Sequence, residues 1–194
     1  AYAKALAGAG AAVVVNDIDE GVAQAAADEI TAAGGKAVAV AAAVGSSPAA
    51  QALVDEAVEA FGRLDILVAN AGVLRDKVVW KMTDEDFDLV TQVHLKGTFT
   101  CARAAIVRMK EQGEGGRLIL IGSPAGQYGN FGQTNYAAAK AGIVTFAKVW
   151  AMELSRDKIT ANAVVPVAAT AMTATVPFLK PYVDAMAAGE PMPE

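Results

Sequence analysis

Short apolar runs that alternate with helical patterns constrain the fold of this chain more than any other feature. The apolar runs, which are rich in alanine, valine, leucine and isoleucine, occupy residues 12–15, 37–44, 64–69, 118–121 and 160–165. The helical patterns that separate them occupy residues 20–33, 48–61, 83–111 and 136–155. Uniformly apolar strands between helices are typical of a parallel sheet that is covered by helices. The alternation predicts one α/β domain over residues 1–194, a doubly wound parallel sheet with helices on both faces.

Polar or conformationally special residues stand where four of the predicted strands end. They are Asp17, Asn70, Ser123 and Pro166. Parallel strands bring their carboxyl ends to one edge of the sheet, and ligands of open α/β sheets bind at that edge. The sequence therefore predicts a ligand site formed by these four strand ends.

Ser123, Tyr136 and Lys140 are the leading candidates for catalytic chemistry. Tyr136 and Lys140 lie four residues apart at the start of a helical pattern, so they share one helix face. A free tyrosine has a pKa of about 10, which a neighbouring ammonium lowers. The tuned phenol can exchange a proton with an alcohol or carbonyl oxygen that Ser123 holds, beside a hydride carrier. Tyrosine and lysine at this spacing also occur by chance on many helices, so the signal rests on the combination with Ser123.

Composition and charge exclude several classes of function. The chain is 54% hydrophobic but has no uninterrupted apolar run of about 18 residues, the length that a membrane-spanning helix needs. Its net charge is −5 and it has no basic stripe, which argues against a nucleic-acid partner. The single cysteine, Cys101, is expected to pack inside a helix, which is consistent with a reducing compartment. We predict a cytoplasmic location and no metal site.

Three motifs together resemble the short-chain dehydrogenase/reductase family. They are N-A-G at residues 70–72, Ser123 with Y-A-A-A-K at 136–140, and N-A-V-V-P at 162–166. The likeness extends from Ala1 to about Met192 and implies a Rossmann-like fold. The N-A-G motif on its own is also compatible with an ordinary tight turn after a strand.

Finer likenesses point to acyl thioesters as substrates. The stretches at residues 70–76 and 129–140 resemble 3-ketoacyl carrier-protein reductases. The stretch at residues 93–99 is similar to the (3R)-hydroxyacyl-CoA dehydrogenase part of peroxisomal multifunctional enzyme type 2. The resemblance implies an NAD(P)-dependent oxidoreductase that acts on CH–OH groups, with a 3-hydroxyacyl or 3-ketoacyl thioester as substrate.

The resemblance also implies a role for each catalytic residue. Tyr136 would be the acid/base, Lys140 would lower its pKa and hold the nicotinamide ribose, and Ser123 would orient the substrate oxygen. His94 stands where most of the family has an asparagine that anchors a proton-relay water. A single histidine in an apolar helix is also often a packed core residue, so both interpretations of His94 stay open.

The residues that the resemblance implies to bind the cofactor lie at or just after the predicted strand ends, or within the family motifs. They are Asp17, Val44, Asn70, Ala71, Gly72, Tyr136, Lys140, Pro166, Ala169 and Thr170. A carboxylate at Asp17 can accept hydrogen bonds from ribose hydroxyls and would repel the extra phosphate of NADP, which favours NAD. Asp17 is alternatively a cap of the following helix, a role that Asp19 fits equally well.

The chain departs from the family pattern at several places. The first strand and glycine-rich phosphate loop of the family would precede Ala1, and its last strand and helix would follow Glu194. We therefore expect these 194 residues to be part of a longer protein. Ala43 replaces an aspartate beside the adenine, and Val167 replaces a glycine near the nicotinamide. Both changes are expected to affect cofactor affinity more than the fold.

The remaining expectations concern the substrate lid and the assembly. By resemblance, residues 171–189 would form a mobile lid with an apolar face. The apolar residues are Met172, Val176, Phe178, Leu179, Tyr182 and Met186. Such a face fits a hydrophobic acyl substrate, although the same residues would also suit packing on the sheet or on another subunit. The family likeness implies a homotetramer in which helices at about 85–111 and 136–155 pair with their copies, with Ala137–Gly142 allowing close approach.

Two other functions remain compatible with the sequence. One keeps the chemistry but acts on a steroid or a cyclic ketone or alcohol. The other is a non-catalytic, dinucleotide-binding oligomeric scaffold, which the departures at Ala43 and Val167 would suit. The presence of Ser123, Tyr136 and Lys140 together argues against a scaffold, because a scaffold needs none of them.

Overall fold

A computed structural model describes residues 1–166 and 180–189 of the chain. Its strands are β1 Ala12–Asp17, β2 Lys36–Ala41, β3 Ile66–Ala69, β4 Gly116–Ile121 and β5 Ile159–Val164. Its helices are α1 Tyr2–Gly8, α2 Glu20–Ala32, α3 Ser47–Phe61, α4 Asp84–Thr91, α5 Gly97–Gln112, α6 Ala125–Tyr128, α7 Thr134–Glu153 and α8 Lys180–Ala188. A π-helical turn, Gln92–Lys96, joins α4 to α5, and short 3₁₀ turns lie at Val79–Lys81 and Ser155–Asp157. The predicted α/β fold class is confirmed.

All strand pairs are parallel, but the described strands form two sheets instead of one. β1 pairs with β2, while β4 lies between β3 and β5. The common doubly wound order is 3-2-1-4-5-6. The two sheets correspond to its 3-2 and 4-5-6 portions, so the break falls at the place of strand 1.

Helix boundaries follow from local capping chemistry. The side chain of Asp19 accepts a hydrogen bond at the start of α2, and that of Ser46 does so for α3. Thr83 and Asp86 form a reciprocal capping box on α4, as the acidic first turn of this helix predicts. Gly62 ends α3 in the left-handed conformation, which glycine adopts without a steric cost.

The main hydrophobic core surrounds β4, the central strand of the larger sheet. Leu118 and Leu120 are fully buried on this strand, and they belong to one cluster with Met109 of α5 and Ile143 of α7. A Cβ atom at Gly116 would overlap the side chain of Met109, so α5 lies directly against the start of β4. This packing fixes α5 and α7 relative to the strand end that carries the candidate site.

Helices connect the two sheets. α3 packs along α5, and α3 also contacts β1 while α5 contacts β3 and β4. α1 and α2 pack on each other and against β1, and α2 also covers β2. Side-chain packing between α3 and α5 therefore holds the smaller sheet in place beside the larger one.

Some predicted boundaries differ from the structure for identifiable reasons. β1 extends to Asp17 and not only to Val15, because Asn16 Nδ2 donates to the carbonyl oxygens of Val40 and Ala42 across the sheet. The helical patterns predicted at residues 83–111 correspond to two helices, α4 and α5, with the π-helical turn between them. Within residues 1–166 and 180–189, no helix is long and apolar enough to cross a membrane.

Candidate active site

The structure brings Ser123, Tyr136 and Lys140 together at the carboxyl end of β4. Tyr136 and Lys140 occupy successive turns at the start of α7, and a side-chain hydrogen bond links Tyr136 to Ser123. Lys140 is only 4% exposed and donates from Nζ to the carbonyl oxygen of Ile121, the last residue of β4, at 2.6 Å. The Lys140 ammonium also lies 5.6 Å from the centre of the Tyr136 ring. The convergence expected from the spacing is therefore present.

Gly126 explains how α6 and α7 come so close. A Cβ atom at this position would lie 2.7 Å from the backbone of Lys140 and Ala141. Glycine therefore lets the segment after Ser123 lie directly on the first turns of α7. The contact keeps the serine hydroxyl near the phenol of Tyr136.

The pKa of Tyr136 is raised, contrary to the sequence-based expectation that Lys140 would lower it. Burial of the phenol is the largest cause, the hydrogen bond from Ser123 acts in the opposite direction, and the charge of Asp76 raises the pKa further. Lys140 Nζ faces the ring and bonds a main-chain carbonyl, so it does not pair with the phenol oxygen. At neutral pH Tyr136 therefore carries its proton and is ready to donate it.

Lys140 is itself perturbed by its surroundings. Burial lowers its pKa from 10.5 to about 8, since removal from water disfavours the ammonium. Ammonium groups are rarely buried in proteins unless they are paired or functional. The side chain is thus charged at neutral pH at a cost in stability, which is typical of a functional site.

His94 lies in the π-helical turn and faces Tyr136. It is 1% exposed, its ring contacts the Tyr136 ring edge to face at a centroid distance of 5.1 Å, and its Nε2 lies 3.1 Å from Val73 N and 2.8 Å from Val73 O. Burial first and the charge of Lys140 second lower its pKa to about 4, so the imidazole is neutral near pH 7. Its Nδ1 atom is buried without a hydrogen-bond partner among the described residues.

Gly72 makes room for His94. A Cβ atom at Gly72 would overlap His94 Cε1, so glycine is needed there for the histidine to pack. The sequence-based expectation assigned this glycine to close approach of a cofactor. The structure adds a second reason for it, which is contact with the catalytic candidate itself.

Several further contacts anchor the π-helical turn that carries His94. Gln92 Nε2 donates to the carbonyl oxygen of Gly45 at 2.9 Å. A Cβ atom at Gly97 would lie 2.8 Å from Val44 Cγ2, and one at Gly142 would lie 2.7 Å from Leu95 Cδ1. The half-buried Val44 side chain therefore packs on the start of α5, which leaves its backbone as the group that could meet a cofactor. π-helical turns of this kind are frequent at functional sites.

Asn135 is an important site residue that the sequence analysis missed. It is fully buried, its Nδ2 donates to the carbonyl oxygens of Arg75 and Asp86, and its Oδ1 accepts from Tyr136 N. The two bonds from Nδ2 join the start of α7 to α4 and to the segment after β3, while the bond from Tyr136 N lies within α7. The only signal in the sequence was that this polar residue directly precedes Tyr136.

The residues implied to bind a dinucleotide occupy the expected edge where the structure describes them. Asp17 is half-buried at the end of β1, and its Oδ1 accepts from Asp19 N at 3.0 Å. Asp19, not Asp17, caps α2, which leaves Asp17 available for a ligand. Asn70 and Ala71 are exposed just after β3. These placements fit a dinucleotide that lies across the ends of β1, β3 and β4.

Other predicted positions are half-buried or lie outside the described residues. Pro166 is half-buried after β5. Ala169, Thr170 and Val167 lie outside the described residues, as do Met172, Val176, Phe178 and Leu179 of the expected lid. Tyr182 is half-buried on α8, and the structure does not describe the side chain of Met186. Across the described ranges, no group of histidine, cysteine, aspartate and glutamate side chains is arranged to hold a metal ion.

Parallel strands in a Rossmann-like order, with serine, tyrosine and lysine at their carboxyl edge, define a nucleotide-binding type of α/β enzyme fold. The chain belongs to the short chain dehydrogenase family, whose profile matches residues 1–177. Members of this family are oxidoreductases that use nicotinamide dinucleotides.

Three proteins illustrate the similarity. The chain is 46% identical over 181 residues to peroxisomal multifunctional enzyme type 2 of Drosophila melanogaster, covering 89% of this chain and 30% of that protein. It is 43% identical over 167 residues to a 3-oxoacyl-[acyl-carrier-protein] reductase of Synechocystis, covering 86% of this chain and 67% of the reductase. A crystal structure of a short chain dehydrogenase from Mycobacterium avium superposes with a TM-score of 0.84 at 45% identity, covering 88% of this chain and 64% of that one.

The chain spans less than half the length of the multifunctional relatives. It covers 30% of the Drosophila protein and 25% of the mouse protein of the same name. The similarity therefore says nothing about activities that reside in the remaining parts of those proteins.

Proposed function

We propose that the protein interconverts a 3-hydroxyacyl thioester and the corresponding 3-ketoacyl thioester, with NAD(H) as the hydride carrier. The observation that supports this most is the meeting of Ser123, Tyr136, Lys140 and His94 at the carboxyl edge of the larger sheet. The arrangement buries the Lys140 ammonium at a cost in stability, which folding alone does not require.

The names of the relatives support the acyl substrate. The Synechocystis relative is a reductase of 3-oxoacyl groups on a carrier protein, and the fungal relative from Neurospora crassa is a hydratase-dehydrogenase-epimerase. Exposed aromatic side chains also lie in the loop between Ser123 and Tyr136. Tyr128 is 87% exposed and Phe131 is 84% exposed, so apolar surface is available beside the site. An acyl chain can cover such surface.

The residues of the chain account for the proton and for the position of the substrate. Ser123 donates a hydrogen bond to the substrate carbonyl oxygen and holds it beside the phenol of Tyr136. In the reductive direction Tyr136 gives its proton to that oxygen as the carbonyl carbon is reduced; in the oxidative direction the phenolate removes it from the hydroxyl. We assign Lys140 to holding the nicotinamide ribose, because its ammonium donates to the carbonyl oxygen of Ile121 and lies against the ring of Tyr136 without pairing with the phenol oxygen. The nicotinamide, when bound, supplies or accepts the hydride.

Asp17 supports the preference for NAD. Its carboxylate is held at the end of β1 by Asp19 N, and it does not cap α2. A fixed carboxylate at this place can accept hydrogen bonds from the adenosine ribose hydroxyls and would repel a 2′-phosphate.

One kinetic comparison tests the whole proposal. Purified protein is assayed with 3-hydroxybutyryl-CoA and acetoacetyl-CoA, with NAD(H) and NADP(H), and with a steroid alcohol and cyclohexanol as other secondary alcohols. We expect turnover of the thioesters that is faster with NAD(H). Tyr136→Phe should lower kcat at least a hundredfold, while the matched control Tyr2→Phe, which alters an exposed phenol on α1, should not.

Each alternative has its own result in the same assay. Turnover of the steroid or cyclohexanol but not of the thioesters would overturn the substrate class. Binding of NADH, measured by its fluorescence, without turnover of any substrate would support the scaffold interpretation instead. Faster turnover with NADPH would contradict the role proposed for Asp17.

A further inference from the structure

The segment Val73–Lys77 connects His94 to the start of α7. At one end, the main-chain N and O atoms of Val73 lie within hydrogen-bond distance of His94 Nε2. At the other end, Lys77 N donates to the carbonyl oxygen of Gly132 at 2.8 Å, and Lys77 pairs with Gln133 in a parallel bridge. The two side chains that face each other in the site, His94 and Tyr136, are thus tied to the same five-residue segment.

A hydrogen bond between side chains reinforces this connection. Gln133 Nε2 donates to Asp76 Oδ2 at 2.7 Å, and Gln133 Oε1 accepts from Asn130 Nδ2 at 2.9 Å. Gln133 is 4% exposed and lies three residues before Tyr136, so its side chain is held inside the protein on both sides. Buried amides that are satisfied in this way fix the backbone around them.

We propose that Asp76 and Gln133 are positioning residues, whose hydrogen bond fixes the first turn of α7 so that Tyr136 stays against His94 and Ser123. The expected effect on kcat rests on the proposed function, whereas the expected effect on the position and pKa of Tyr136 does not. Without the bond, the start of α7 and the loop before it would keep the bond from Asn135 Nδ2 to Arg75 O and the main-chain contacts of Lys77, but no side-chain contact from Gln133 to the segment Val73–Lys77. The phenol would then sample positions from which proton transfer is slower.

The negative charge of Asp76 gives the same bond an electrostatic effect on Tyr136. The titratable groups that face the phenol are Lys140 on its own helix, His94 on the π-helical turn and Asp76 on the connecting segment. His94 is neutral near pH 7, and Lys140 bonds Ile121. Asp76 is the one that raises the pKa of Tyr136 by its charge.

Substitutions at Asp76 and Gln133 distinguish the effect of their hydrogen bond from the effect of the Asp76 charge. Asp76→Asn keeps an oxygen that accepts from Gln133 and removes the charge. Gln133→Ala keeps the charge and removes the bond, and Asp76→Ala removes both. Asp28→Asn is the matched control, because Asp28 is another exposed carboxylate that accepts from a glutamine side chain, Gln24 Nε2, at 2.8 Å.

The first measurement is independent of turnover. The protein is labelled with [ζ-¹³C]tyrosine, and Tyr136 is assigned among its four tyrosines by comparison with Tyr136→Phe. Its resonance is then followed with pH. We expect the pKa of Tyr136 to fall in Asp76→Asn and to stay unchanged in Asp28→Asn. An unchanged pKa in Asp76→Asn would overturn the electrostatic part of the proposal.

The second measurement is kinetic and tests the bond. Gln133→Ala and Asp76→Ala should each lower kcat about tenfold with KM nearly unchanged, the loss expected for one hydrogen bond to a charged group. The double variant should lose no more than either single variant, and Asp76→Asn should keep kcat near neutral pH. Additive losses in the double variant, or kcat values equal to the wild type, would overturn positioning.

The two measurements distinguish this proposal from the proposed function. If the wild type turns over no thioester but Asp76→Asn lowers the pKa of Tyr136, the function fails and the link between Asp76 and Tyr136 stands. If turnover is present but neither variant changes kcat or the pKa, the function stands and the positioning proposal fails.

Discussion

Lys140 combines a catalytic position with a cost in stability. Its ammonium is buried, its pKa falls to about 8, and its hydrogen bond to Ile121 O only partly replaces the lost contact with water. Because the unfolded chain binds this proton more tightly than the folded one, the free energy of unfolding rises as the pH increases from about 8 to 10.5. Below pH 8 the folded protein carries the whole cost of the buried charge.

Replacing Lys140 by methionine should therefore stabilise the protein and abolish its activity. Lys140→Met removes the buried charge and keeps most of the volume, so we expect the free energy of unfolding at pH 7 to rise by about 2 kcal/mol. The gain should shrink at pH 10, where the wild-type lysine is largely neutral. Urea denaturation at both pH values measures it. A variant less stable than wild type at pH 7 would contradict the assignment of this cost to Lys140.

His94 should make the protein sensitive to acid. Its pKa is about 4 when folded and 6.5 in the unfolded chain, so the unfolded chain binds this proton more readily. The stability present above pH 6.5 is lost as the pH falls towards 4, by about 3 kcal/mol in total. His94→Asn should reduce this loss, measured by urea denaturation at pH 7 and 4.5. An equally steep loss in the variant would assign the acid sensitivity to other groups.

At the scale of elements, the π-helical turn and the N-A-G segment form one packed unit. His94 packs on Gly72, and Gln92 reaches Gly45 after β2. The ends of β2 and β3 are thereby both held by five residues of one turn. This unit places His94 against Tyr136 more firmly than either segment would alone.

A single methyl group at Gly72 should displace His94. Gly72→Ala puts a Cβ atom where His94 Cε1 lies, so we expect a loss of about 1–3 kcal/mol in the free energy of unfolding and a fall in kcat. Gly8→Ala is the matched control, because a Cβ atom there meets nothing within 4 Å and a helix gains from alanine. Thermal unfolding of both variants measures the difference. Equal stability of the two would argue against the close contact.

The sequence predicted the elements well but not the way in which they are tied together. The apolar runs indicated the strands correctly, because the composition of a short run is a local signal. The π-helical turn was not predicted, and the contacts that hold it, Leu95 with Gly142 and Gly97 with Val44, join residues that are distant in sequence. The roles of Asn135 and Gln133 were missed for the same reason.

The electrostatics of the site were predicted only in part. The meeting of Ser123, Tyr136 and Lys140 followed from spacing and strand ends. The sequence predicted that the pKa of Tyr136 is lowered, whereas it is raised. Residue spacing does not show how deeply the phenol is buried or that Lys140 bonds Ile121. Burial depends on the whole fold and dominates the pKa of both residues.

At the scale of the whole molecule, the outer surface of α5 and α7 carries exposed apolar side chains. Met152 is 71% exposed, Val107 is 52% exposed and Phe99 is 38% exposed. The expected homotetramer would cover this surface. Ala139, one of the small residues expected at this contact, is fully buried inside the protomer, and a Cβ atom at Gly142 would lie 2.7 Å from Leu95 Cδ1 of the same chain.

A charge on this surface should break the assembly. Met152→Glu places a carboxylate where the proposed contact excludes water, so we expect a smaller particle in light scattering after size exclusion, with the fold retained in circular dichroism. Lys148→Glu, which changes an exposed residue that is already charged, is the control. An unchanged mass in Met152→Glu would place the contact elsewhere.

The location in the cell stays a prediction at this scale. The cytoplasm was predicted from the composition, while several relatives carry the word peroxisomal in their names. Fluorescence microscopy of the tagged protein in its own cells would decide between the two compartments.

The π-helical turn also has a consequence for how this chain can vary. Each residue of an α-helix is rotated by about 100° about the helix axis relative to the one before it. One residue more or fewer between α4 and α5 would therefore rotate the side chains of α5 by that angle about the axis. α4 faces α7, whereas α5 faces α3 and the sheet, and both orientations depend on this phase. A substitution within Gln92–Lys96 alters one contact, but an insertion or deletion there would turn the entire following helix out of register. We therefore expect related natural sequences to carry substitutions in this segment but no insertions or deletions.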